Sequence, residues 1–224
     1  MLDCVGPFAR DMRVLIDAMA SIAPDFDRSA ACESTASYTV GIVSVDALAS
    51  ISAAVARAPA VAGLASHRVE LSRLATAFEA GLTVINAETR SAFGPLLKTG
   101  LIGVDLETRL LGASKTTTAQ LGAAEVIRRE FPSAVDRALD TTNVIVLPTL
   151  PDLPISIKAA LNETSVIAMS SLIRPFNLSG HPALSLPIAI EGSPLKAGLQ
   201  IVGRKGADET VCAVASRFEA ALNH

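Results

Sequence analysis

Two short apolar runs constrain this chain more than any other feature: Tyr38 to Val45, reading Tyr-Thr-Val-Gly-Ile-Val-Ser-Val, and Asn143 to Leu147, reading Asn-Val-Ile-Val-Leu. Each is rich in β-branched residues and too short for a buried helix. Runs of this kind fit strands buried on both faces, which parallel sheets place near their centre. The long stretch between them carries helical rather than alternating periodicity. Strands separated by helices indicate an α/β domain, a mixed β-sheet flanked by helices. No stretch of residues 1–224 reads as a linker, so a single domain is expected.

A sheet covered on both faces needs a large apolar supply. The chain is 50% hydrophobic and 18% charged with a mean hydropathy of +0.44, which excludes a disordered polypeptide. Seven Phe, one Tyr and no Trp leave the core to Leu, Ile and Val. The formal charge of -3 offers no basic surface, so no nucleic-acid partner is expected. The longest uncharged candidate for a membrane span, Pro175 to Ile190, contains Pro175, Pro182 and Pro187, so no membrane insertion is expected. Met1 to Pro7 has neither a basic segment nor an apolar one of the secretory kind, and a cytoplasmic location is the expectation.

Helical spacing predicts helices over Phe8 to Ala23, from Asp46 (as N-cap) to Arg57, from Arg68 to Phe93, and over Asp105 to Leu111. Thr116 to Arg129 reads as another, and Ser133 to Leu139 continues the pattern after Pro132. Pro24, Pro59 and Gly94-Pro95 are expected to end the helices before them. Leu150 to Gly180 reads as loop-rich. Ala183 to Ile190 and Gly198 to Val202 read as strands joined by a Gly192-Ser193-Pro194 turn, and Asp208 opens a final helix.

General searches for chemistry give little. His67, His181 and His224 show no metal-ligand spacing and no cluster with carboxylates, while Cys4, Cys32 and Cys212 lie far apart. No metal and no cofactor is expected. The Gly-x-Ser-x-Gly elbow is absent. Ser193 to Lys196 fits Ser-x-x-Lys, yet Gly192 and Pro194 make it a surface turn. Ser170-Ser171 sits between the bulky apolar pairs Ala168-Met169 and Leu172-Ile173, without the glycine-built donors an oxyanion needs. Gly203-Arg204-Lys205-Gly206 lacks phosphate-loop spacing and reads as a solvated turn.

Four segments in order carry a resemblance. Leu2-Asp3-Cys4-Val5-Gly6-Pro7-Phe8-Ala9-Arg10, followed by Asp17-Ala18-Met19, resembles the "LD-x-VGP-x-AR … D-A" stretch of the amidase signature family. Val146-Leu147-Pro148-Thr149 is similar to that family's strand and "P-T" turn. Phe176 to Pro187 is similar to its "FN-x-x-G-x-PA-x-S-x-P" segment, and Gly198 to Gly203 with Asp208-Glu209 to its "GLQ-x-x-G … DE" tail. Ala189 departs from a glycine the family often has there.

The resemblance implies the C-terminal portion of the amidase signature fold and, by descent, hydrolysis of linear carbon–nitrogen amide bonds. The family's Ser–cis-Ser–Lys triad lies upstream of the "LD-x-VGP" stretch, so no catalytic residue is assigned here. The chain alone is expected to be inactive. The alternatives are the pocket half of a split amidase and a non-catalytic interaction module. Expected partners are a small amide substrate, when the fold is completed, and either a second copy of this chain or a polypeptide supplying the N-terminal half. Arg174, Thr149 and Asn177 are the candidate substrate-binding residues, because the segments around them follow strand ends, where α/β sheets place ligands. The rival readings are an Arg174 that caps carbonyls and an Asn177 that satisfies backbone groups before Gly180.

Overall fold

The second apolar run forms a strand over Val144–Pro148 that is buried along its whole length at the middle of a five-stranded sheet. The computed structural model describes residues 5–33, 36–161 and 167–222. Leu2, Asp3 and Cys4 of the first motif, and His224, lie outside the described residues. In chain order the strands are β1 (Thr39–Val43), β2 (Ala65–Val69), β3 (Val144–Pro148), β4 (Ala183–Ala189) and β5 (Lys196–Gly203). Across the sheet they run β2-β1-β3-β5-β4. β1 pairs in parallel with β3 on one side and with β2 on the other. β5 pairs antiparallel with both β3 and β4. The sheet is therefore mixed, and both apolar runs are interior strands, as their patterns require.

Strand alternation divides the side chains between two cores. Val40, Val144, Val146, Leu199, Ile201, Leu186 and Ile188 face α1 (Met12–Ile22), α3 (Ala49–Val61) and α9 (Asp208–Leu222). Val43, Ile145, Leu147 and Val202 face α4 (Leu74–Phe93), α6 (Thr118–Ala138) and α8 (Arg174–Ser179). The remaining helices are α2 (Arg28–Ala31), α5 (Val104–Ala113) and α7 (Ile157–Leu161). Phe131, Phe176 and Phe218 are fully buried and supply much of the core's bulk. No helix among the described residues is long and apolar enough to cross a membrane.

Several local expectations are corrected. Pro59 lies inside α3 instead of ending it, and Pro132 lies inside α6, across which the helical pattern continues. An interior proline forfeits one backbone hydrogen bond, but burial of Ala58 and Pro59, and of Phe131, Ala134 and Val135, offsets that loss. The pattern before Pro132 and its continuation after it belong to one helix, α6. Asp46 caps nothing, since α3 starts at Ala49 and the Leu48 N–H donates to Pro151 O at 2.8 Å. α1 begins later than expected because the Asp11 carboxylate accepts from Val14 N, leaving Phe8 outside and exposed. His67 and Arg68 belong to β2, not to a helix. Leu150 to Gly180 holds α7, a 3₁₀ turn over Ile167–Ser170, and α8.

Candidate functional site

Thr149 continues β3 beyond Pro148, at the carboxyl end of the parallel strands. Its N–H donates to Gly198 O at 2.8 Å, and its hydroxyl lies 2.6 Å from Ser185 Oγ on β4. Gly198 makes this contact possible. A Cβ there would come 2.5 Å from Thr149 Oγ1 and 2.9 Å from Ser185 Oγ, so only glycine leaves room for the hydroxyl pair. Ser185 stands opposite Gln200 in register, and the buried Gln200 side chain donates from Nε2 to Leu172 O at 2.8 Å. Gln200 thereby ties the segment before α8 to the sheet beside the hydroxyl pair.

β4 presents two different faces. Leu186 and Ile188 are buried, whereas Ala183, Ser185, Pro187 and Ala189 on the opposite face are exposed. The helices α4, α6 and α8 that cover this side of β1 and β3 leave that part of β4 bare. A hydroxyl pair on a strip of small residues can accept from and donate to an amide group. Among the described residues no serine or threonine hydroxyl is hydrogen-bonded to a lysine, and no base activates Thr149 or Ser185.

Arg174 stands two residues beyond Leu172, so the two backbones lie within about 7 Å of one another. Its side chain runs over Gly81 of α4, and its guanidinium carbon sits 5.5 Å from the centroid of the Phe78 ring. Nη2 donates to Ser170 Oγ at 2.8 Å, and the Ser170 hydroxyl in turn donates to Ile167 O. Ser170 is thus a structural hydroxyl, in keeping with its apolar flanks. Nε and Nη1 of Arg174 are shut off from solvent and have no partner among the described residues. A buried donor without a partner costs roughly 1–3 kcal/mol. Burial, then the nearby Arg109, push the Arg174 pKa below the usual guanidinium value, and Glu79 opposes them. Among the described residues Arg174 caps no carbonyl. Asn177 is exposed on α8, and its side chain makes no hydrogen bond among the described residues, so it does not satisfy the turn before Gly180.

The fold also builds a histidine–carboxylate pair that spacing conceals. His181 Nδ1 lies 2.9 Å from Ser179 Oγ and Nε2 lies 3.1 Å from Asp136 Oδ1. These residue types make catalytic triads elsewhere, but Ser179 is buried and its hydroxyl also reaches Phe176 O at 3.2 Å. The cluster joins α6 to the corner between α8 and β4 and offers no substrate access. Burial pushes the His181 pKa below 6.5, opposed by Asp136 and reinforced by Lys205 and Arg204. The unfolded chain then takes up a proton more readily than the folded one. Stability contributed here is present above pH 6.5 and lost as pH falls through the folded value. Thermal stability from pH 7.5 to 5 is expected to fall less steeply in His181→Gln than in the wild type; equal slopes would exclude this linkage.

Ser185, Gly198 and Gln200 belong to the site although sequence reasoning misses them as candidates. A signal for them exists. Small or polar residues alternate with bulky ones along Ala183-Leu184-Ser185-Leu186-Pro187, which marks a strand with one uncovered face. Cys212 is buried and its thiol is pushed up to about 12, so it is not a nucleophile. No group of three His, Cys, Asp or Glu among the described residues is arranged to hold a metal ion.

Comparison with known proteins bears on the family and the fold. The family model described as Amidase matches residues 38–212. A fatty acid amide hydrolase of Medicago truncatula is 32% identical over 150 residues, covering 62% of this chain and 24% of that protein. A glutamyl-tRNA(Gln) amidotransferase subunit of Dehalococcoides mccartyi (strain CBDB1) is 33% identical over 100 residues, covering 44% of this chain and 20% of that protein. The crystal structure of a bacterial aryl acylamidase of the amidase signature family superimposes with a TM-score of 0.78 at 22% identity. That match covers 96% of this chain and 52% of the solved one, so the chain spans about half the length of the structure it resembles. With a family model spanning both central strands, the β4–β5 hairpin and most of the helices between, the chain belongs to the amidase family.

Proposed function

We propose that this chain forms the substrate-pocket half of an amide carbon–nitrogen hydrolase, completed by a polypeptide segment that carries the nucleophile and its base. The observation that supports this reading most is the bare face of β4 beside the Thr149–Ser185 hydroxyl pair. A mixed sheet with a buried centre is normally covered on both faces, and here the cover stops one strand short. In the completed enzyme the hydroxyl pair holds the amide group of the substrate while a serine from the other half attacks the carbonyl carbon. The protein with the TM-score of 0.78 is named as an aryl acylamidase, and the Medicago relative as a fatty acid amide hydrolase. Amide cleavage is the chemistry these names share.

The test is hydrolysis of a panel of primary and aryl amides by the chain alone and by the chain with the N-terminal half of a family member, supplied in cis or in trans. Turnover is expected only in the completed form. The gap should reach several orders of magnitude, since nucleophile, base and oxyanion donors together supply most of an enzyme's acceleration. Turnover by the chain alone, or none in any completed form that folds, would overturn the reading.

A further inference from the structure

Charged side chains of both signs meet at one corner of the fold, around a histidine that water does not reach. Ser179, Gly180, His181 and Pro182 carry the chain from α8 into β4. On one side of this corner His181 Nε2 meets Asp136 of α6. On the other, the Gly203 N–H donates to Pro182 O at 3.0 Å, and the Lys205 stem passes over Gly180, where a Cβ would come 4.0 Å from Lys205 Cε. Arg204 closes the clamp: it donates to Leu139 O and stands 4.0 Å from Asp140, just beyond α6. α8 beyond Arg174 and the whole of β4 carry no charge. The charges around the ring are therefore Asp136 and Asp140 from the α6 side and Arg204 and Lys205 from the turn between β5 and α9.

The hydrogen bonds decide where the neutral ring keeps its proton. An ionised carboxylate can only accept, so Nε2 carries the hydrogen and Nδ1 accepts from the Ser179 hydroxyl. Nδ1 is then the atom that takes up a second proton. That step turns Ser179 from donor to acceptor and leaves an imidazolium on a side chain with 0% exposure. A single carboxylate bonds the ring, and it is itself 53% exposed, while Lys205 and Arg204 oppose the new charge. In water the ring accepts the same proton without this cost. We infer that His181 is an acid-sensitive latch: protonation at Nδ1 drives the ring out of the corner and frees the connection between α8 and β4 from α6, while the centre of the sheet stays folded. Ser185 lies on the strand that this connection leads into, so acid loosens the mounting of the Thr149–Ser185 pair. The latch rests on the contacts of the corner and is independent of the amidase reading.

The experiment is amide hydrogen exchange of the chain read by NMR from pH 7.5 to 5 and corrected for the intrinsic rates. Two amides report on the corner: the Gly180 N–H, which donates to Phe176 O at 2.8 Å, and the Gly203 N–H on Pro182 O. Both are expected to be less protected than β3 at every pH, because the corner opens while the sheet is intact. Their protection should fall severalfold over this range, with a ceiling of about thirtyfold for one proton taken up at a free value of 6.5. The fall should vanish in His181→Gln. Asp136→Asn, which keeps an acceptor and removes the charge, should enlarge it, and Lys205→Gln should shrink it; a histidine with a purely structural role would give neither response. Protection at the corner equal to that of β3, a fall that persists in His181→Gln, or the reverse responses in the two charge variants would overturn the proposal. If His181→Gln does not fold, the two charge variants decide.

Discussion

Phe131→Ala is expected to destabilise the chain by about 3–5 kcal/mol, the usual loss for a fully buried phenylalanine. Phe131 has no exposed surface and packs in the core between α4, α6 and the sheet, one residue before Pro132. That location adds to the effect. The helix around Pro132 lacks one backbone hydrogen bond and relies on tertiary packing to stay continuous. Domains of this size are stable by only about 5–15 kcal/mol, so the variant should be substantially unfolded in mild urea. Equilibrium denaturation followed by circular dichroism measures this, and a loss below about 1 kcal/mol would mean the core can collapse around the gap.

Gly198→Val should act on function more than on folding. The new Cβ would stand 2.5 Å from Thr149 Oγ1, 2.6 Å from Thr149 Cβ and 2.9 Å from Ser185 Oγ, far inside van der Waals contact. Either the hydroxyls separate or β3 and β5 move apart at their ends. Overpacking of this kind costs about 1–3 kcal/mol, which the fold can survive. The loss of alignment is more serious, since a displacement of roughly 1 Å in a reacting pair can cost about a hundredfold in rate. In the completed enzyme kcat/KM is expected to fall by about that factor while the melting transition remains cooperative. Unchanged kinetics would remove the hydroxyl pair from the site.

The contrast between what the sequence reveals and what it hides has a physical origin. β1 and β3 are legible because burial on both faces demands a continuous apolar run. β2 is not, because as an edge strand with Ala65 to Arg68 exposed it is held by backbone pairing to β1 and needs no apolar side chains. Arg68 and His67 there also discourage pairing with other chains at that edge. Pro59 misleads as a helix end because packing overrides a local penalty. Within the candidate site, Thr149 stands out by following a strand end and Arg174 by its charge in an apolar segment. Their partners do not, since Ser185 lies 36 residues from Thr149 and Asp136 lies 45 residues from His181. Only the assembled sheet and the packed α6–α8 corner bring those pairs together.

If the open side of β4 is where the rest of an amide hydrolase docks, completing the fold must change the solvent exposure of that strand. Hydrogen–deuterium exchange of residues 183–189, measured on the chain alone and after an N-terminal half from the family is added, reads this change. Alone, the outward N–H groups of this edge strand should exchange rapidly, because β5 pairs with only one side of it. In the completed form protection in this segment should rise at least tenfold, with little change in β3, which is already buried throughout. Unchanged exchange over 183–189 in a preparation that hydrolyses amides would contradict docking at β4 and place the docking surface elsewhere.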